Sequence, residues 1–365
     1  MHRLAAVAVV MLAFTARANA QSVAPAGQRA DLPQYRAEEH VSGTIRNFGF
    51  GLGGVLKRWE TAFQRYQPAV RFDDKLPTSD AAIPALVTGA ADLAPDGGEP
   101  IITETLSFYE TYGYNLTAVT VASGAYDVEG RSNGLVVYVN KDNPVDKLTM
   151  KQLDGIFGAE RTGGLVGFKW TLAGGRGSDG NIRTWGQLGL TGDWANKPIQ
   201  TYGHAPSGTA RFFQLKVLHN SDKWNPNYRE YVETGSKMIG DDDPAQRGGL
   251  HHMLADELAH DKYGIAWTVV PQARNVPGLK PVALAERDGG PYVVPSRESF
   301  ENRSYPLVRS IYIYLNRAPK TRLDPKLKEF LRFVLSREGQ EIVAQDGNYL
   351  PLPASTVREQ LAKLE

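Results

Sequence analysis

The stretch "VSGTIRNFGFGLGGVLKRWETAF", residues 41–63, joins a strand-like run to a helical one through the glycine-rich turn "GFGLGG" at 49–54. The helical half, continued by "QRY", places Leu56, Trp59, Phe63 and Tyr66 at helical intervals. The turn fits G-x-G-x-x-G, the spacing at which a pyrophosphate approaches bare backbone amides at a helix start. A second strand-like run, "AVRFDD", ends in Asp73 and Asp74, close to where a dinucleotide-binding fold keeps its ribose-binding carboxylate. Strand, turn, helix, strand is a β-α-β unit, and that decides the fold class as α/β. The turn itself leaves two readings open: a nicotinamide dinucleotide, or another anion held by the same backbone device.

The first twenty residues, "MHRLAAVAVVMLAFTARANA", bear on that choice. A basic start at Arg3, an apolar run from Leu4 to Phe14 and a small-x-small pattern at Ala18 and Ala20 read as a cleavable signal peptide, with Gln21 as the mature start. The apolar run is too short to span a bilayer. Export argues against NAD as cosubstrate. Removing Arg3 and Arg17 leaves 39 basic and 40 acidic residues, a balance that gives no bulk attraction to nucleic acid or an anionic membrane. The absence of cysteine excludes disulfides, thiolate metal sites, a cysteine nucleophile and a lipid anchor on an N-terminal cysteine. The remaining length of about 345 residues suits two domains resting on hydrophobic cores.

Outward from the opening unit, 21–40 is rich in Ala, Pro and Gln and is expected as a flexible arm. "AAIPALVTG" reads as a short helix, and "ADLA" and "LTAVTVAS" as apolar strands. "NGLVVYVNKDNP" begins a new block, followed by the helix "TMKQLDGIFG". A glycine-rich loop, "GAERTGGLVGFKWTLAGGRGSDG", is expected at the surface and mobile. "YGIAWTVV" and "YPLVRSIYIYLN" are strands. "DPKLKEFLRFVLSREGQEIVAQDG" is expected as one amphipathic helix, with Pro325 in its first turn and Gly347 beyond its end.

Three loops carry anion-binding character. In "HAPSGTARFF", Ser207 can cap a helix whose open end exposes the Gly208 and Thr209 amides, which have no internal partners and carry the positive end of the helix dipole. "LPTSDAAIPAL" sets Ser79 before another short helix, and "ADLAPDGGEP" ends a strand in Asp96, Gly97 and Gly98. Elsewhere, His252, Asp256 and His260 in "LHHMLADELAH" recur at i, i+4, i+8 but lack H-E-x-x-H, and they read as the solvated face of a charged helix rather than a metal site. The Walker pattern is missing, and no serine is paired in sequence with a convincing His/Asp constellation. No catalytic residue, metal or cofactor is assigned.

With these loops in order, the chain resembles the phosphate-binding proteins of ABC importers, in the type 2 periplasmic-binding-protein superfamily. The likeness runs from about Val41 to Pro353. It is strongest in "LTMKQLDGIFG" with "TWGQLG", in "PSGTARFF", in "YGIAWTVV", and in the C-terminal run from "YPLVRSIYIYLNRAP" to "NYLPLP". The resemblance implies two α/β domains, each a mixed, mostly parallel sheet flanked by helices, with an anion held in the cleft between them. It divides the chain into 41–124 plus 295–365 and 125–294. It assigns ligand-binding roles to Phe50, Gly51, Ser79, Asp96, Gly97, Ser207, Gly208 and Thr209. Asp96 would accept a hydrogen bond from a protonated phosphate. The family's arginine, four residues before the loop serine, corresponds here to Gly203, with His204 beside it, and Arg46 or Arg211 is the substitute. The implied function is a monomeric periplasmic protein, free of a lipid anchor, that captures phosphate or a similar oxyanion for an ABC permease. The alternatives are an exported binding module for another small ligand and a nicotinamide-dependent oxidoreductase.

Overall fold

In the computed structural model, which describes residues 31–166, 169–233 and 249–365, the opening stretch forms the β-α-β unit its spacing predicts. β1 (Gly43–Phe48) runs through the glycine turn into the helix Val55–Phe63 and out to β2 (Val70–Lys75), which pairs with β1 in parallel. Leu56, Trp59 and Phe63 form the buried stripe of that helix. Phe63 meets Phe330 edge-on with centroids 5.3 Å apart, and Trp59 Nε1 donates to the Gly339 carbonyl at 2.8 Å. Full burial of one such side chain stabilises by about 1.5–3 kcal/mol.

The glycines of the turn serve the backbone. Gly53 and Gly54 hold φ of 64° and 98°, which residues with a Cβ avoid. A Cβ on Gly49 would lie 2.4 Å from the Pro95 carbonyl oxygen, so the turn passes hard against the neighbouring strand. Asp74 accepts from Asn47 Nδ2 at 2.9 Å and faces Lys57 at 3.6 Å, while Asp73 lies opposite Arg46 in the strand ladder. Neither carboxylate serves a ribose.

β3 (Ala94–Asp96) and β4 (Thr117–Ser123) complete the outward run through the first domain. The chain then crosses into the second, with β5 (Leu135–Asn140), β6 (Lys147–Thr149), β7 (Gly164–Val166), β8 (Lys169–Thr171) and β9 (Gln200–His204). There follow β10 (Arg229–Tyr231), β11 (Gly264–Val269), β12 (Leu279–Pro281) and β13 (Ala283–Ala285), before the return strand β14 (Ser310–Leu315). In the first domain β14 sits antiparallel between β3 and β4, and a parallel Asn47–Leu93 bridge links β1 to this sheet. The second sheet has the order β10-β9-β11-β5-β12, with β9 parallel to β10 and β11, and β5 antiparallel to β11 and β12. Every residue of β5 and β11 is buried, as in a sheet covered on both faces. Both sheets are mixed and flanked by helices.

Two crossover segments join the domains and run side by side. Gly124 N donates to the Arg309 carbonyl at 2.8 Å and Leu135 N to that of Leu307 at 3.0 Å. A Cβ on Gly134 would meet the Phe300 ring at 2.5 Å and the Leu307 oxygen at 2.8 Å, so close approach demands glycine. Phe300, Tyr305, Leu307 and Val308 belong to the same buried cluster as β5 and β11.

Three expectations change in the structure. The described end of the N-terminal arm is docked: Leu32 and Tyr35 are buried, Tyr35 Oη donates to Glu329 Oε2 at 2.6 Å, and Arg337 N donates to the Pro33 carbonyl at 2.8 Å. The glycine-rich loop is tied down where Arg161 forks onto buried Asp154 at 2.7 and 2.8 Å. The long C-terminal helix is two, Pro325–Val334 and Arg337–Asp346. Ser336 caps the second by accepting from Gly339 N at 3.2 Å. The expected signal peptide lies outside the described residues. Among the described residues no helix is long and apolar enough to cross a membrane.

Candidate ligand cleft

The loops after β1, β2, β3 and β9 open into one cleft of about 650 Å³ between the two cores. Ligands of open α/β sheets bind at the carboxyl ends of strands, where neighbouring connections part in opposite directions. Phe50, Ser79, Asp96 and Gly97 line the cleft from the first domain, and Ser207, Gly208 and Thr209 from the second. Seven of the eight expected residues are therefore brought together. Gly51 is not: it lies behind the turn, where a Cβ would touch only Leu76 at 3.6 Å.

The first loop contributes differently from the expectation of free amides. Phe50 N already donates to the Pro95 carbonyl at 2.8 Å, and Gly54 N to Gly51 at 3.0 Å. Arg131 covers Gly53, where a Cβ would lie 2.8 Å from its Nε. What Phe50 offers is its ring, packed against Gly97. The polar groups on this side are Ser79, whose Oγ accepts a long 3.4 Å bond from Gly97 N, and Asp96. Asp96 is 6% exposed. Burial is the main reason its carboxyl is pushed up to about 7, against bonds from Ser79 and Gly98 N that favour the anion, with Glu104 raising it further and Arg309 opposing. Near neutral pH this group exists in both protonation states. It can accept from or donate to a ligand oxygen.

In the second domain Ser207, extended at φ −163°, caps the helix Gly208–Lys216 by accepting from Ala210 N at 3.2 Å. Its hydroxyl and the Gly208 and Thr209 amides lie at the open, positive end of the helix. Gly203 has no room for a side chain: a Cβ would fall 2.4 Å from Tyr228 Oη and 2.5 Å from two atoms of the Trp267 indole. His204 adds no positive charge. It is buried, stacked on Trp267 with centroids 4.8 Å apart and bonded through Nε2 to Thr268 Oγ1 at 2.9 Å, and desolvation pushes its pKa down to about 3.

Of the two arginines proposed as substitutes, Arg46 is off the cleft, forked onto Asp92 at 2.7 and 3.3 Å. Arg211 does line it. Sequence reasoning missed Arg131, Ser132 and Arg309, which reach the cleft from the crossovers. Arg309 had no spacing signal, since "YPLVRSIYIYL" reads as an alternating core strand. His252 and Asp256 are bonded to each other at 2.8 Å beside a π-helical turn, Met253–Leu258.

Two mixed α/β domains on paired crossovers, closing on a cleft of hydroxyls, a helix start and a buried carboxyl, define a solute-binding protein. The chain belongs to the PBP superfamily, whose domain matches residues 52–338, and within it to the phosphate-binding proteins named PstS. It is 34% identical over 355 residues to the phosphate-binding protein PstS of Pseudomonas aeruginosa, covering 97% of each chain. It is 22% identical over 317 residues to that of Staphylococcus saprophyticus, covering 86% of this chain and 82% of the other. The crystal structure of PstS from Borrelia burgdorferi aligns with a TM-score of 0.52 at 13% identity, over 85% of this chain and 99% of that one, a likeness of fold. This is a family of substrate-binding proteins, and the dinucleotide reading of "GFGLGG" gives way to it.

Proposed function

We propose that this protein is exported to the periplasm, captures inorganic phosphate by hinge closure and delivers it to the permease of an ABC importer, acting as a monomer without chemistry or cofactor of its own. The observation that carries this reading is the juxtaposition, in one cleft, of the Ser207 helix start with the Ser79 and Asp96 loops. The helix start stabilises negative charge. Asp96 discriminates in its ionised form: as a carboxylate it accepts a hydrogen bond from the proton that phosphate carries, whereas sulfate carries none and meets an unpaired like charge. Kinship with the Pseudomonas phosphate-binding protein supports the same ligand. The crossovers near Gly124 and Arg309 are where the domains would turn about each other.

Calorimetry on ligand-stripped mature protein tests the reading against phosphate, sulfate, molybdate and phosphate esters. Phosphate should bind in preference to the others. No heat with any anion overturns the reading, and a clear preference for an ester or for sulfate replaces it with a module for another ligand.

A further inference from the structure

The cleft is built for an anion yet lined by more acids than bases. Asp80, Asp96, Glu99, Glu104, Glu230 and Glu233 face it, against Arg131, Arg211 and Arg309. A bound anion there needs a cation held close. Arg131 is already engaged, donating to Asn348 Oδ1 at 2.9 Å and to the Gly130 carbonyl at 3.1 Å.

Arg309 is placed otherwise. It stands at the return crossover, 7% exposed, and its guanidinium touches a loop of each domain. Nη2 donates to the Gly208 carbonyl at 3.1 Å, beside the second-domain hydroxyls, and Nε to Glu99 at 3.2 Å, just past the Asp96 loop. The backbone is cut away to admit it: a Cβ on Gly98 would lie 2.4 Å from Nη2, and one on Gly124 3.0 Å from the arginine Cβ. The Phe212 ring supports the guanidinium at 5.6 Å.

We propose that Arg309 is the charged ligand of the bound anion, supplied from the crossover, with Glu99 as its counter-ion when the cleft is empty. The inference rests on the anion-binding reading above and adds to it where the charge comes from. Segments at a crossover move least when two domains close, so the cation is in place before closure and its ordering cost is already met. The second-domain loop can then do without a charged side chain of its own.

The test is calorimetry with sodium phosphate on the stripped full chain and four variants, each checked for native near-UV circular dichroism. Arg309→Gln should weaken binding about tenfold or more, the usual loss for a buried charge-assisted bond. Arg309→Lys, keeping charge without the fork, should fall between. Glu99→Gln should bind as tightly as the parent or tighter, having lost the competing carboxylate. Arg211→Gln, whose side chain also lines the cleft, should weaken binding less than Arg309→Gln does. A folded Arg309→Gln chain within about threefold of the parent overturns the proposal, as does a loss carried by Arg211→Gln instead. If Arg309→Gln does not fold, a parent-like Arg309→Lys or a weakened Glu99→Gln overturns it. A parent chain that gives no heat with phosphate overturns the phosphate reading itself, a result distinct from unchanged variants of a binding parent.

Discussion

Asp96 shows how a binding group costs the protein that carries it. Its carboxyl sits at about 7 in the fold against an ordinary 3.8, chiefly through burial. The folded chain therefore keeps a proton that the unfolded chain has released. The stability this gives is complete below the unfolded pKa and is lost as pH rises through about 7. Asp96→Asn removes the titration, so its melting temperature without ligand should gain on the parent as pH goes from about 5 to 8. The same variant should lose preference for phosphate over sulfate. A melting difference that does not change with pH, or an unchanged preference, contradicts the role given to Asp96. Gly203 teaches the opposite lesson. Restoring an arginine there should not restore a charge to the site, because Tyr228 and Trp267 already fill the space. Gly203→Ala should cost about 1–3 kcal/mol in urea unfolding, the usual range for overpacking, and Gly203→Arg more.

Ser207 caps the helix Gly208–Lys216 and, in the proposed function, also meets the anion, and substitutions can separate the two roles. Ser207→Ala should lose about 1 kcal/mol of stability and weaken phosphate binding. Ser207→Asp keeps a good cap but sets a negative charge in the anion's place. Its melting temperature should stay near the parent's while calorimetry finds no phosphate binding. Most elements were legible at this level, since each follows from local pattern: the Leu56–Trp59–Phe63 stripe, the helix in "TMKQLDGIFG", the strand β14. The break at Ser336 was not. The apolar period continues across it, and the interruption comes from packing: Gly339 lies so near Phe333 and Val334 that a Cβ would come within 2.3 Å of both carbonyls. The docked arm was missed for a related reason, because Leu32 and Tyr35 find their partners about three hundred residues away.

Across the molecule, the proposed closure of the two domains links binding to folding. Phosphate at a hundredfold excess over its dissociation constant should stabilise the chain by about 2.7 kcal/mol. Melting temperature should then rise with ligand concentration, and small-angle scattering should report a smaller radius of gyration. Gly134→Val is the counterpart test, because Phe300 and the Leu307 carbonyl stand where its side chain must go. Splayed crossovers should reduce both the stability and the ligand-induced compaction. Compaction unaffected by this change would place the hinge elsewhere.

The family resemblance supplied seven of the residues that meet in the cleft, while the chain's own pattern was enough for an α/β fold, the glycine turn and the capped helix at Ser207. These depend on local periodicity, backbone conformation and end effects, which act over a few residues and leave their mark in spacing. Packing settled the rest: that Phe50 brings a ring rather than an amide, that Gly51 stands aside, that Gly203 is closed by aromatic rings, and that Arg309 reaches the cleft from a strand that looked like plain core. Each of these depends on which distant atom occupies the neighbouring space, and a one-dimensional pattern carries no distance between segments that meet only on folding. "GFGLGG" belongs to both accounts. Its spacing announced a tight strand-to-helix turn, and its contacts with Pro95 and Arg131 left that turn supporting the cleft instead of holding a dinucleotide.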